Sequence, residues 1–144
     1  PPRSTLFPYT TLFRSQKEVF SNYIEIEVAS DDSAKKAEPN RIMGTLFADQ
    51  LPRIVQINEF SIDVEPQSWV LFIHNEDLPG VVGTLGTILG QNKINIAEMS
   101  LGRISRGNKM LAMTVINTDN EVPDKVLDEI KKLPSIVDAK VVKL

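Results

Sequence analysis

The stretch Asn75-Glu76-Asp77-Leu78-Pro79-Gly80-Val81, together with Asn95 further on, holds the residue types best suited to chemistry in this chain. It follows an apolar run and precedes an amphipathic stripe, so it reads as a strand-to-helix junction. A helix N-terminus presents free backbone N–H groups and a partial positive charge to an anionic group. Asp77 can answer a cationic group, or it can serve as the N-cap that satisfies those N–H groups. Gly80 removes a side chain where a ligand would approach backbone, and Asn75 and Asn95 each carry a donor and an acceptor. On residue types alone, ligand contact and plain capping, turn and strand-start roles stay open for all of these positions. His74, the single histidine, ends the strand beside Asn75. There it reads as a packed structural residue or as a ligand-lining, pH-sensitive group.

Little other chemistry is on offer. The absence of cysteine excludes disulfides, thiolate zinc sites, iron-sulfur ligation and a cysteine nucleophile. With 16 basic against 19 acidic residues the 144-residue chain carries a formal charge of -3, which gives no electrostatic footprint for nucleic acid. No Ser-His-Asp, metal-ligand or phosphate-loop arrangement is present, so neither catalytic residues nor a metal site are expected. Glu25 and Glu27 share a strand face and read as solvent-facing charges rather than a catalytic pair. Arg41, Arg53, Lys35 and Lys36 read as solvated charges, with an anion site on the β-rich segment as the alternative. Gly80-x-x-Gly83-x-x-Gly86 has the wrong spacing for a dinucleotide fingerprint. Gly83 and Gly86 each cost about 1 kcal/mol relative to alanine and, with Gly90, lie opposite the Val81-Leu85-Ile88 stripe, on a face that either meets a neighbouring subunit or a ligand or is simply solvent-facing. No apolar run reaches the roughly 18 to 20 residues of a membrane span, so no membrane partner is expected and the location is read as cytoplasmic.

Two groups of elements must position the junction. Residues 22–28 alternate, with Ile24, Ile26 and Val28 on one face. Strands over 41–47, 53–57 and 60–64 follow, with a hairpin tip at Asp49-Gln50 and a turn at Asn58-Glu59. The polar, proline-bearing segment 65–68 marks a boundary. Beyond it, 69–74 is a central strand. A helix opens at Asp77 with Val81, Val82, Leu85, Ile88 and Leu89 inward, and Gly90 suits its left-handed end. Strands over 94–104 and 109–117, a helix from Pro123 and a strand over 136–142 complete the order β-α-β-β-α-β, a ferredoxin-like split arrangement with both helices on one face. The fold class is α+β, and 69–144 is expected to fold without the segment before it.

With that order, Asn75 to Gly80 and Ile94-Asn95-Ile96 resemble an ACT domain, an amino-acid-binding regulatory module. Gly44-Thr45-Leu46-Phe47, Pro52-Arg53-Ile54-Val55, Ile62-Asp63-Val64 and Asn95 to Arg103 are similar to the long form of D-3-phosphoglycerate dehydrogenase. The resemblance implies that 16–66 is the end of the intervening, allosteric substrate-binding domain, truncated and antiparallel, and that 69–144 is the ACT domain. It implies L-serine or a related amino acid as effector, bound through Asn75, Asp77, Pro79, Gly80, Val81 and Asn95, with His74 as a further candidate. It implies homo-oligomers paired through ACT domains and feedback inhibition. The fragment would be no enzyme and hold no cofactor, while the parent would be NAD-dependent. The β portion of an iron-sulfur L-serine dehydratase and a free-standing ACT interaction module are the alternatives. Pro1 to Ser15 resembles a translated sequencing adaptor and is expected to belong to no domain.

Overall fold

A computed structural model describes residues 22–28, 40–47 and 50–144. The expectations for 1–15, Lys35, Lys36 and Asp49 lie outside the described residues. Strands Tyr23–Val28 (β1), Asn40–Leu46 (β2), Pro52–Ile57 (β3) and Phe60–Val64 (β4) form an antiparallel meander in the order β1-β2-β3-β4. Gln50 (φ 63°) and Asn58 (φ 52°) take the left-handed conformation that the two tight turns demand. The second unit runs Trp69–Glu76 (β5), Val81–Gln91 (α1), Ile96–Arg106 (β6), Lys109–Thr118 (β7), Asp124–Lys131 (α2) and Ile136–Lys143 (β8). Its sheet order is β6-β7-β5-β8, all antiparallel, which is the topology expected of β-α-β-β-α-β.

Alternation along β5 divides two cores. Leu71 and Ile73 face the helices and pack with Leu85, Leu89, Ile116 and Ile130. Val70 faces the other way and packs with Phe60, Ile62 and Val64 of β4 and with Met113 and Val115 of β7. The first sheet therefore covers the helix-free face of the second, and the polar 65–68 segment joins two layers of one sandwich-like packing. Removing the first sheet would bare Val70, Met113 and Val115, a cost that the expectation of independent folding for 69–144 did not include. At the closest approach Gly102 of β6 crosses β4, where a Cβ would come under 3.0 Å from the Ser61 carbonyl oxygen.

Four local expectations are corrected. The helix α1 opens at Val81 with Gly80 as N-cap and no side-chain cap, so Asp77 does not cap it. Val82 lies on the exposed side of α1. Gly90 remains helical; the left-handed residue after the helix is Lys93 (φ 60°), and Ile94 N–H returns to the Leu89 carbonyl at 2.9 Å. On β1 the burial phase is reversed: Ile24 is 61% exposed, while Glu25 and Glu27 are half-buried. Among the described residues β1 is an edge strand with a neighbour on one side only, and Glu27 pairs with Arg41 of β2 at 3.0 Å.

Candidate functional site

The junction closes one end of the second sheet. Glu76 N–H donates to the Ser135 carbonyl at 2.8 Å and Asp77 N–H to the Met110 carbonyl at 2.9 Å, which fixes the chain leaving β5. A tight turn follows, with Leu78 N–H on the Glu76 carbonyl at 3.0 Å. Gly80 sits at φ 90°, a conformation costly for any residue with a Cβ, yet a Cβ there would meet nothing within 4 Å. The glycine is thus required by the backbone turn rather than by close packing among the described residues. Pro79 and Gly80 are exposed, Val81 is buried in the core beneath them, and Thr84 N–H is the first to bond back to the Gly80 carbonyl, at 2.9 Å. The first turn of α1 is presented outward at this end of the sheet.

Asn75 supports that turn from below. It is only 2% exposed; its Nδ2 donates to the Glu76 carbonyl and its Oδ1 accepts from the Thr114 hydroxyl at 3.0 Å. Both ends of its amide are used inside the fold. Asp77 is instead paired with Arg103 of β6, whose Nε lies 2.6 Å from Oδ2. Arg103 was missed by sequence reasoning, although a β6–β7 hairpin whose tip lies at this end of the sheet would have placed it within reach. Glu76 is similarly paired with Lys109. Because the Arg103 side chain is 59% exposed, its pair with Asp77 is worth little in water and can exchange for another cation.

Asn95 lies at the opposite end. It precedes β6, where Ile96 is opposite Thr118 and Thr118 is opposite Trp69, whereas Glu76 is opposite Leu111. Seven residues of strand at about 3.4 Å each separate the two ends by roughly 24 Å. The cause is topological: α1 runs back along the sheet and delivers the chain to the end where β5 began. There Asn95 Nδ2 donates to Asp119 Oδ2 at 2.7 Å, and Asp119 N–H returns to the Asn95 carbonyl. Within one copy, Asn95 and the junction are too far apart to touch one small ligand.

The two sheets are tied by a polar cluster that sequence reasoning also missed. Arg53, expected to be solvated, has a side chain only 17% exposed and bridges Asp63 at 2.6 Å and Glu98 at 2.8 Å. The Asp63 hydrogen bond, with Glu98 assisting against desolvation, holds this guanidinium more firmly protonated than an ordinary arginine. Glu98 Oε2 also accepts from Glu65 N–H and from Asn117 Nδ2, each at 3.1 Å. Glu98 of β6 thus clamps β3 and the 65–68 connection to the second sheet.

His74 points away from the helices, into the space between the sheets. Its ring meets Phe60 edge-on, with centroids 5.5 Å apart at 68°. Nε2 is buried with no hydrogen-bond partner among the described residues. Burial lowers its pKa below the ordinary 6.5, with Arg106 adding to the effect and Asp138 opposing it. His74 therefore faces a different region from the exposed turn at Pro79 and Gly80. Among the described residues no cluster of His, Cys, Asp or Glu could hold a metal ion, and no helix is long and apolar enough to cross a membrane.

Comparison with known proteins fits this geometry. Residues 69–135 match the family model of the ACT domain. The chain is 34% identical over 134 residues to a D-3-phosphoglycerate dehydrogenase of Bacillus subtilis, a match covering 90% of this chain and 23% of that protein. A D-3-phosphoglycerate dehydrogenase of Synechocystis is 40% identical over 102 residues, covering 70% and 18% respectively. One from Archaeoglobus fulgidus is 34% identical over 103 residues, covering 72% and 19%. The chain thus spans less than a quarter of the length of these curated relatives. Residues 69–135 are an ACT domain, in a chain that is similar over most of its length to D-3-phosphoglycerate dehydrogenases.

Proposed function

We propose that this chain is the regulatory region of a cytoplasmic, NAD-dependent D-3-phosphoglycerate dehydrogenase and that paired ACT domains in it sense L-serine for feedback inhibition. The observation that carries the reading is the outward first turn of α1 at Gly80, beside a carboxylate whose cationic partner is exposed and exchangeable. The N–H groups of that turn suit the serine carboxylate. Asp77 suits its ammonium group, which takes the place of Arg103. Asn95 comes from a second copy, because its own chain places it at the far end of the sheet. Two copies related by a two-fold axis then form two equivalent sites, each with one junction and one Asn95. Serine inhibits by binding one arrangement of the subunits better than another. Catalysis belongs to regions outside this chain.

Calorimetry with L-serine tests the reading. Asp77→Ala and Asn95→Ala each remove one partner of a polar contact to the ligand, which costs about 1.5 to 3 kcal/mol, or roughly ten- to a hundredfold in affinity. Glu25→Ala on the other sheet leaves affinity unchanged. Mixing the two weak variants in equal amounts makes half of the dimers mixed, each with one intact site, so about a quarter of the sites regain wild-type affinity. Tight binding that ignores both substitutions overturns the site. Failure of the mixture to recover any binding overturns the shared arrangement.

A further inference from the structure

The end of the second sheet that carries the exposed turn holds Glu76, Asp77, Arg103 and Lys109, joined as two ion pairs whose charges cancel. Arg103 reaches Asp77 from across the sheet. It is opposite Ala112 of β7, which is opposite Asn75 of β5, and residues opposite one another share a face. The small Ala112 side chain between them leaves the arginine free to lie over β7. Its Nε and Nη2 are 2.6 and 2.5 Å from the same Asp77 oxygen, Oδ2. The two partners are held unequally. Asp77 is fixed through its N–H on the Met110 carbonyl and its side chain is 18% exposed, whereas the guanidinium is largely exposed at the end of a long stem. The pair can therefore open by movement of the arginine alone, and an opening into water costs little.

Charge decides what can enter the opened pair. A ligand with only an ammonium group satisfies Asp77 and strands Arg103. One with only a carboxylate satisfies Arg103 and strands Asp77. Either ligand exchanges one ion pair for one, which gains nothing. A zwitterion breaks one pair and forms two, with its ammonium group on Asp77 and its carboxylate on Arg103, and this end of the sheet stays neutral. The planar fork of a guanidinium also offers a carboxylate two parallel N–H donors, a geometry that lysine lacks.

We infer that Arg103 is itself a ligand-binding residue. It holds Asp77 in the free chain and swings onto the α-carboxylate when an amino acid enters between them. The site thereby selects α-amino acid zwitterions against amines and carboxylic acids of the same size. This inference rests on the amino-acid-sensing reading above, in which Arg103 is only displaced, and gives the displaced cation a second role beside the N–H groups of α1.

The test titrates the whole chain with L-serine, glycine, L-alanine and L-serinamide, following the amide NMR signals of Gly80 and Val81. L-serinamide lacks the carboxylate and keeps its ammonium group at about pH 6. Arg103→Gln should lower affinity for L-serine by about tenfold, and Arg103→Lys, which keeps the charge, by less. L-serinamide should bind the wild-type chain more weakly than L-serine and should lose nothing further in Arg103→Gln. Because Arg103 is exposed, the melting temperature of Arg103→Gln should stay close to that of the wild type. An equal loss for L-serine and L-serinamide would mean that Arg103 acts only by placing Asp77, and overturns the inference. Unchanged or tighter L-serine binding in Arg103→Gln would make the arginine a mere competitor, and overturns it too. If L-serine fails to bind while glycine or L-alanine binds with the same dependence on Arg103, the serine reading falls and the inference stands. A wild-type chain that binds none of the three amino acids overturns both.

Discussion

Replacing Gly102 by alanine tests how tightly the two sheets are locked. The added methyl group would come under 3.0 Å from the Ser61 carbonyl oxygen and 3.1 Å from both Ile62 Cγ2 and Phe60 Cβ. The carbonyl is backbone held in the β3–β4 ladder, where Ser61 is opposite Gln56, so no side-chain rotation relieves the contact. The sheets must part by several tenths of an ångström, loosening Phe60, Ile62 and Val64 against Val70, Met113 and Val115. Overpacking of this kind costs typically 1 to 3 kcal/mol. A fixed backbone obstacle places Gly102→Ala in the upper half of that range, about 2 to 3 kcal/mol. For a chain of this size the melting temperature then falls by roughly 5 to 10 °C. Gly83→Ala is the control, because a Cβ on that exposed helical position meets nothing within 4 Å; it should stabilise by about 0.5 to 1 kcal/mol. Calorimetric and urea unfolding of both variants measure the effect. A Gly102→Ala stability within about 0.5 kcal/mol of wild type would refute the close packing of β6 on β4.

Burial of His74 makes stability depend on pH in a defined direction. Its folded pKa lies below the unfolded value of 6.5, so its contribution is complete above pH 6.5 and is lost as pH falls through that value toward the folded pKa. Urea midpoints should decline on mild acidification, and the decline should flatten in His74→Phe. Glu98→Gln retains the shape of the clamp but weakens the acceptor for Arg53, Glu65 N–H and Asn117, and should cost about 1 to 2 kcal/mol. In a double-mutant cycle with Arg53→Gln the two losses should be less than additive by at least about 0.5 kcal/mol; strict additivity would show that the pair does not interact. Deleting residues 1–15 should leave the melting temperature unchanged, and a drop of several degrees would show that this segment packs.

The sequence by itself determined the elements and their order. Alternation identified β4 over its full range, and an apolar run with a helical stripe placed β5 and α1 within a few residues of their ends. These signals are local, because side-chain period and turn chemistry act over a few neighbouring residues. The Asn75 to Gly80 junction was legible for the same reason, as residues in direct succession at a change of element. What sequence left open was which distant groups meet them. Arg103 was not foreseen as the partner of Asp77, because that pairing depends on the β6–β7 register. The wrong burial phase for β1 arose because an apolar stripe on a strand announces a buried face only when something covers it, and edge position is a property of the whole sheet. The 65–68 segment read as a boundary from its polarity. Only the tertiary structure showed the same segment pinned by Glu98 and Asn117, with β4 laid over β7. Gly102 carries that distinction in one residue: in sequence it is an unremarked glycine in a strand, and its need for a missing side chain exists only because the Ser61 backbone passes beside it.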